Sequence, residues 1–363
     1  MKKSTSGSIL LSCALVLMRA GFSLLGAKQG RDLTVLMIVW AAIVAVFAFL
    51  IYRSGRIDRF RSALFIIIAF SFLIEFRTFF LTRYNSAFAA PYVRAAPYCH
   101  IAMAGNFLDF LHSQYLALAS GHWGLWGPVS LGFLWLLVSL LVGQGFCSWI
   151  CFYGGLDEFF SRILRKPVFR IKLPRRAKDL PAAILVFAAL ASLTTGTAVF
   201  CKWLCPLKLT SGFLDQAAAA RVVQFFLFAA IGLVFIVILP VMLKKRAFCS
   251  LICPFGAWQA FFGRINPNRP RINPDKCAQC GRCLDACPVF AITEEGLKNR
   301  KISNHCLRCG RCMDICPEGA IEFTLSYEVF IFVALLLSGV ISNLFVPQAM
   351  LRVINAIGTF KNV

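Results

Sequence analysis

The sequence predicts an α-helical polytopic membrane protein with about seven transmembrane helices and a small cysteine-rich module inserted before the last of them. Three observations predict it. Of 363 residues, 59% are hydrophobic and only 15% charged. Exchanging the 7 Tyr for the 25 Gly puts the apolar share at about 64%, against roughly 45–50% in soluble domains. Several apolar runs reach the ~20 residues a helix needs to cross a bilayer. Finally, half of the 16 cysteines stand in two copies of one ligand spacing near the C-terminal end.

The runs fall near 8–26, 33–52, 62–81, 127–146, 181–200, 222–243 and 326–346. Lys and Arg set their orientation, because cytoplasmic loops retain them. Lys2 and Lys3 precede the first run; Arg53, Arg56, Arg59 and Arg61 follow the second; Arg162 through Lys178 follow the fourth; Lys244, Lys245 and Arg246 follow the sixth. With alternating spans these all lie on one side, so the sequence places the N-terminus and residues 244–325 in the cytoplasm and the C-terminus outside. The net charge of +22 then reports topology, and nucleic acid is not an expected partner. A cleaved signal peptide is the rival reading of the first run; Arg19 interrupts the apolar stretch, which favours a retained helix.

Residues 277–288 read C-A-Q-C-G-R-C-L-D-A-C-P and residues 306–317 read C-L-R-C-G-R-C-M-D-I-C-P. In C-x2-C-x2-C-x3-C-P, three close thiolates wrap one cubane and the fourth reaches the neighbouring cluster. One [4Fe–4S] cluster is therefore expected on Cys277, Cys280, Cys283 and Cys316, and the other on Cys306, Cys309, Cys312 and Cys287. Zinc takes four ligands from two pairs and has no use for the doubled spacing. Along its whole length the stretch 268–324 resembles a bacterial two-cluster ferredoxin, which implies an α+β module.

Six further cysteines form C-x3-C pairs: Cys147/Cys151, Cys201/Cys205 and Cys249/Cys253. On a helix, positions four apart share a face. The first and third pairs belong to an internal repeat offset by 102 residues, in which F-C-S-W-I-C matches F-C-S-L-I-C. A parallel repeat relates two helices by an axis along the membrane normal. It would bring Cys147, Cys151, Cys249 and Cys253 together at the cytoplasmic surface, where four thiolates suit a further Fe–S cluster or redox thiols. Buried structural cysteine is the plainer alternative. Cys201 and Cys205 fall at the outer end of the fifth run, unable to join the other four without a re-entrant segment. They are a candidate outer centre, with Cys99, His100, His112 and His122 on the same side.

The combination of aromatic-Cys-x3-Cys-Pro at span ends with a cytoplasmic ferredoxin module resembles the membrane-bound polyferredoxins of the NapH/NosR/CcoG type. Segment 248–288 carries the closest likeness, and residues 127–325 its extent; Phe152 stands where the pattern has Pro after Cys151. No sizeable extra domain outside the membrane is expected. The resemblance implies electron transfer, serving quinol oxidation, extracytoplasmic reductases or metal reduction during enzyme maturation. It does not fix the redox protein partner, or whether quinone is used.

The expected organisation is a membrane domain over 1–246, a ferredoxin module with its approach over 247–325, and a closing helix and tail over 326–363, in the cytoplasmic (inner) membrane. The expected function is electron relay between a cytoplasmic partner and quinone or an extracytoplasmic redox protein. A metal-reducing maturation factor and a membrane redox sensor are the alternatives. Glu75, Arg77 and Arg19 are ionisable residues within spans, with Arg19–Glu75 a possible pair. Asp109 and His112 share a face of an interfacial helix, where they could handle protons, though an ordinary polar face is the plainer reading.

Overall fold

The computed structural model describes residues 13–14, 31–87, 99–121, 136–171, 173–211, 217–324 and 326–360. Two long helices open it, α1 (Arg31–Ser54) and α2 (Ile57–Ala87). Short pieces α3 (His100–Gly105) and α4 (Phe107–Ala119) follow, then α5 (Phe146–Trp149) and α6 (Phe152–Phe160). The chain continues through α7 (Leu180–Thr195), α8 (Val199–Trp203), α9 (Ala218–Leu243), α10 (Ala247–Leu251) and α11 (Pro254–Phe262).

Among the described residues, Asp32–Ser54 and Ala218–Leu243 are long and apolar enough to cross a membrane. A third crossing is made if α15 (Tyr327–Ser342) and α16 (Val346–Phe360), bent by 49° at their junction, count as one broken span. These helices turn apolar side chains outward: Val46, Phe226 and Val329 are all more than half exposed. Such a surface belongs against lipid. The run 62–81 lies inside α2. The run expected over 181–200 stops early, because Gly196 adopts φ 60° and caps α7 in the left-handed conformation that glycine takes without penalty. The first run apart from residues 13–14, and the start of the fourth, with Arg19 and His122, lie outside the described residues.

Two contacts fix the frame. Trp40 donates its indole N–H to Ser342 at 2.8 Å, and Tyr52 its hydroxyl to the Glu328 carbonyl at 3.2 Å. Both α1 and α15 are thereby held antiparallel over about three turns. Helix α6 runs back along α2: Phe152 stacks on Phe72 at 4.0 Å, and Arg162, just beyond α6, pairs with Asp58. The buried Glu75 pairs with Arg352 of α16.

Residues 264–324 carry strands β1 (Pro270–Ile272) and β2 (Ile321–Phe323), paired antiparallel with Arg271 opposite Glu322. Between them lie α12 (Arg282–Ala286), α13 (Glu294–Lys298) and α14 (Arg311–Ile315). Thr293 caps α13, its hydroxyl accepting the Gly296 N–H at 3.0 Å.

Candidate iron–sulfur sites

The two ferredoxin-type loops repeat their local geometry. Gly281 and Gly310 sit at φ 75° and 80°, starting α12 and α14, and Gln279 and Arg308 are also left-handed at φ 52° and 53°. Each loop thus curls its cysteines around a point, which a side chain at either glycine would oppose. In each, the fourth sulfur accepts a backbone N–H four residues on: Ala291 N to Cys287 Sγ and Ala320 N to Cys316 Sγ, both 3.3 Å. One cavity is lined together by Cys277, Cys280, Cys283 and Cys316. Cys312 has Cys306, Cys309, Cys287 and, from the other loop, Cys283 as its thiol neighbours. The donor chemistry therefore suits two thiolate-bound clusters. Burial pushes the Cys306 thiol up to about 12, so ionising it in place calls for a cation at the sulfur.

The loops differ in exposure. Cys280 is exposed, whereas Cys309 is buried. The second loop is the one seated on the helical domain. Ser148 donates to the Leu307 carbonyl at 2.7 Å, Arg308 to the Val142 carbonyl at 2.7 Å, and Tyr327 to the Arg308 carbonyl at 2.9 Å. Asp314 accepts the first N–H groups of α2, Ile57 at 3.1 Å and Asp58 at 2.7 Å, capping that helix from a distant part of the chain.

The C-x3-C pairs are not laid along one helix face. Each pair begins in a short helix that ends before its second cysteine. Cys151 and Cys253 are the extended N-caps of α6 and α11, at φ/ψ −67°/121° and −67°/111°. Pro254 favours extended backbone in the residue before it; Phe152 replaces it in the first copy without changing the conformation. The backbone bonds match as well, with Ile150 and Cys151 both donating to Phe146 O, and Ile252 and Cys253 both donating to Phe248 O, all at 3.0 Å. Gly154 and Gly256 lie over the Cys147 and Cys249 carbonyls. The middle copy repeats the theme, with Leu204 N on Phe200 O at 2.8 Å.

The three copies meet. Tyr153 Oη stands 3.0 Å from Cys205 Sγ, and its ring stacks on Phe248 at 4.7 Å. His100 Nε2 stands 3.1 Å from Cys151 Sγ, boxed by the rings of Phe146, Phe152 and Phe255. Cys205 therefore does not stand apart from the first pair, as a straight fifth run would have it. The left-handed turn at Gly196 sends α8 back against α3, where Gly105 meets Phe200. Sequence reading had the three motifs but not this turn. Asp109 is buried and His112 exposed, so they do not work one surface together.

Charge underlies the pairs. Arg246, fully buried, donates to the Cys147 carbonyl at 3.1 Å and to Glu158, and counts Cys249 and Cys309 among its neighbours. Glu158 also binds Arg61 and Arg162, and Asp157 accepts the Cys249 N–H at 3.0 Å. From sequence Arg61, Arg162 and Arg246 were read only as topology cations, and Asp157 and Glu158 were not singled out.

Two family models match. A 4Fe-4S dicluster domain covers residues 269–317, and a 4Fe-4S binding domain matches three times, over 123–174, 180–217 and 225–272, once for each C-x3-C pair. Among relatives, the methylamine utilization ferredoxin-type protein MauN of Paracoccus denitrificans is 28% identical over 54% of this chain and 70% of its own. The ferredoxin-type protein NapH of Haemophilus influenzae is 25% identical over 46% and 55%, and the regulatory protein NosR of Stutzerimonas stutzeri 28% identical over 53% and 26%. The chain spans about half the length of the curated relatives it matches. No solved structure matches it. With its doubled cluster motif, three copies of the cluster-binding segment and membrane-length helices, the chain is a polyferredoxin of the NapH/NosR type, an iron–sulfur electron-transport protein.

Proposed function

We propose that this protein relays electrons between a cytoplasmic partner and a redox centre inside its own membrane domain. Residues 1–246 form the membrane domain, 247–325 the α+β ferredoxin module on the cytoplasmic side, and 326–363 the closing span and outer tail of a seven-span arrangement in the inner membrane. Cys277, Cys280, Cys283 and Cys316 hold one [4Fe–4S] cluster, and Cys306, Cys309, Cys312 and Cys287 the other. Once bound, such clusters supply one-electron redox chemistry at potentials set by burial and hydrogen bonds to sulfur.

The reading rests on the bond from Ser148 to Leu307 O, which seats the second loop against the segment that carries Cys147. The exposed Cys280 turns the first site to solvent, next to a groove in which Arg170, Lys178, Lys244, Lys245, Arg282 and Arg311 outnumber Asp285, Glu294 and Glu295, a positive balance that suits an acidic protein. Lys245 donates to the Cys287 carbonyl at 2.6 Å, a positive charge that favours the reduced form of the inner site. Beyond it, Cys147, Cys151, Cys249 and Cys253 form the next centre. Cys151 lies level with Phe72 through its neighbour Phe152, ~20 Å along α2 from Asp58. That depth brings the route toward the bilayer interior, where quinone or an extracytoplasmic redox protein takes or supplies the electron.

The test uses full-length protein in sealed vesicles, with a reductant on the ferredoxin side and a trapped electron-accepting dye inside. Dye reduction is expected, and Cys147→Ala with Cys249→Ala should abolish it while the ferredoxin EPR signals persist. Unchanged dye reduction in that double variant would remove the membrane thiols from the route.

A further inference from the structure

His100 takes no part in the relay just described, yet it is buried where the first and third repeats meet. Helix α3 begins at it, with Cys99 as the extended N-cap. Residues 99–105 lie outside every segment that the cluster-binding families match. Three rings hold the imidazole edgewise. Their centroids stand 5.0 Å (Phe146), 5.5 Å (Phe152) and 4.6 Å (Phe255) from its own, at interplanar angles of 67°, 70° and 68°. Phe146 and Phe152 bracket the first cysteine pair, and Phe255 comes two residues after Cys253. Phe152 occupies the position that Pro254 has in the third copy, so this departure from the Cys-Pro pattern supplies one wall of the box. Close packing on three sides leaves the ring little freedom to turn, and Nε2 is held 3.1 Å from Cys151 Sγ.

That distance separates two roles for the imidazole. Two ligands of one tetrahedral ion, with bonds of about 2.3 Å to sulfur and 2.0 Å to nitrogen, stand roughly 3.5 Å apart. At 3.1 Å the pair is closer than that, as a hydrogen bond requires. A metal-bound cysteine is a thiolate and can only accept, so the proton sits on Nε2. We propose that His100 donates an N–H···S hydrogen bond to Cys151 of the Cys147, Cys151, Cys249 and Cys253 centre and thereby raises its reduction potential. Reduction adds one negative charge to the core and its sulfurs, and a bond donated to the more charged acceptor is the stronger one. Hydrogen bonds to sulfur are among the levers that set cluster potentials. Only the electron moves; the imidazole keeps its proton in both states. This inference rests on the relay reading and adds to it a residue that tunes the membrane centre.

The experiment is a potentiometric titration followed by EPR on anaerobically purified full-length protein, with iron analysis alongside. His100→Phe keeps a ring in the box and removes the donor, whereas His100→Gln keeps an N–H group. His100→Phe should retain the wild-type iron and the signal that Cys147→Ala abolishes. Its ratio of reduced to oxidised centre should fall about tenfold at a given ambient potential, a shift of about 59 mV for one electron. His100→Gln should recover most of that shift, and the ferredoxin signals should stay in place in both. A midpoint unmoved in His100→Phe overturns the proposal and leaves the relay reading standing. Loss of about four irons in both variants also overturns it, because His100 is then a ligand and not a donor. Wild type without any Cys147-dependent signal would sink the relay reading, and this inference with it. Histidine labelled with nitrogen-15 covers a His100→Phe variant that does not fold. Wild type should then show one weak nitrogen coupling on the Cys147-dependent signal; a coupling as strong as that of a bound nitrogen, or none, overturns the proposal.

Discussion

Ser148 and Leu307, far apart in sequence, are joined by a 2.7 Å hydrogen bond that fastens the second ferredoxin loop to the segment between Cys147 and Cys151. Removing it should loosen the loop without unfolding either side. Ser148→Ala strands a buried carbonyl and should cost about 1 kcal/mol. Hydrogen exchange over residues 305–312 should speed up, while exchange in α1 stays unchanged.

Glu158 is the shared anion of Arg61 and Arg246, and all three are almost completely buried. Taking away one member of a buried ion network leaves charge uncompensated, typically at about 3–5 kcal/mol. Glu158→Gln should therefore lower the melting temperature in detergent sharply. Arg170→Ala, whose side chain is mostly exposed, should leave it where it is.

Asp58 gives a signed pH dependence. Burial pushes its carboxyl up, but Arg61, Arg162 and Arg311 together outweigh burial and hold it well below the usual carboxylate range. A depressed folded value means stability that is present above the unfolded value of about 3.9 and is lost as pH falls through the folded one. Melting temperature should drop as pH is lowered from about 4. Asp58→Asn should start lower and show a shallower drop over the same range; an identical slope would remove Asp58 as the cause.

Gly154 and Gly256 occupy matching places in the two repeats, but with unequal room. A Cβ on Gly256 would lie 3.2 Å from the Cys249 carbonyl, a contact the backbone can relax. On Gly154 it would run into the Cys147 carbonyl and the Phe65 ring. Overpacking of that kind costs typically 1–3 kcal/mol. Gly154→Ala should reduce the yield of folded protein strongly and Gly256→Ala mildly, as read by size-exclusion in detergent.

Much of this was legible from residue order. The doubled cluster spacing, the three C-x3-C pairs and the membrane character could be read directly, because ligand spacing and apolar run length are local properties. Turning the chain back at Gly196 is not local: a glycine within an apolar run reads as one more small residue until its φ is known. For the same reason the sequence kept Cys205 apart from the first pair, whereas it meets Tyr153. Counting charge also left the pairing of Arg61 and Arg246 unread. Both were read as loop cations marking the cytoplasmic face, and burial against Glu158 is a property of the assembled helices. Glu75 was recognised as needing a partner, but Arg352 lies in a helix that reads as a tail.

The spacing of the Glu158 partners carries a consequence for biogenesis. Arg61 precedes Glu158 by 97 residues and Arg246 follows it by 88. As the ribosome works from one end, the first two repeats are already made before the arginine that ties Cys147 to the third repeat is translated. Closure of that contact is thus a late event, and a chain cut short of residue 246 lacks the guanidinium that bridges the Cys147 carbonyl and Glu158.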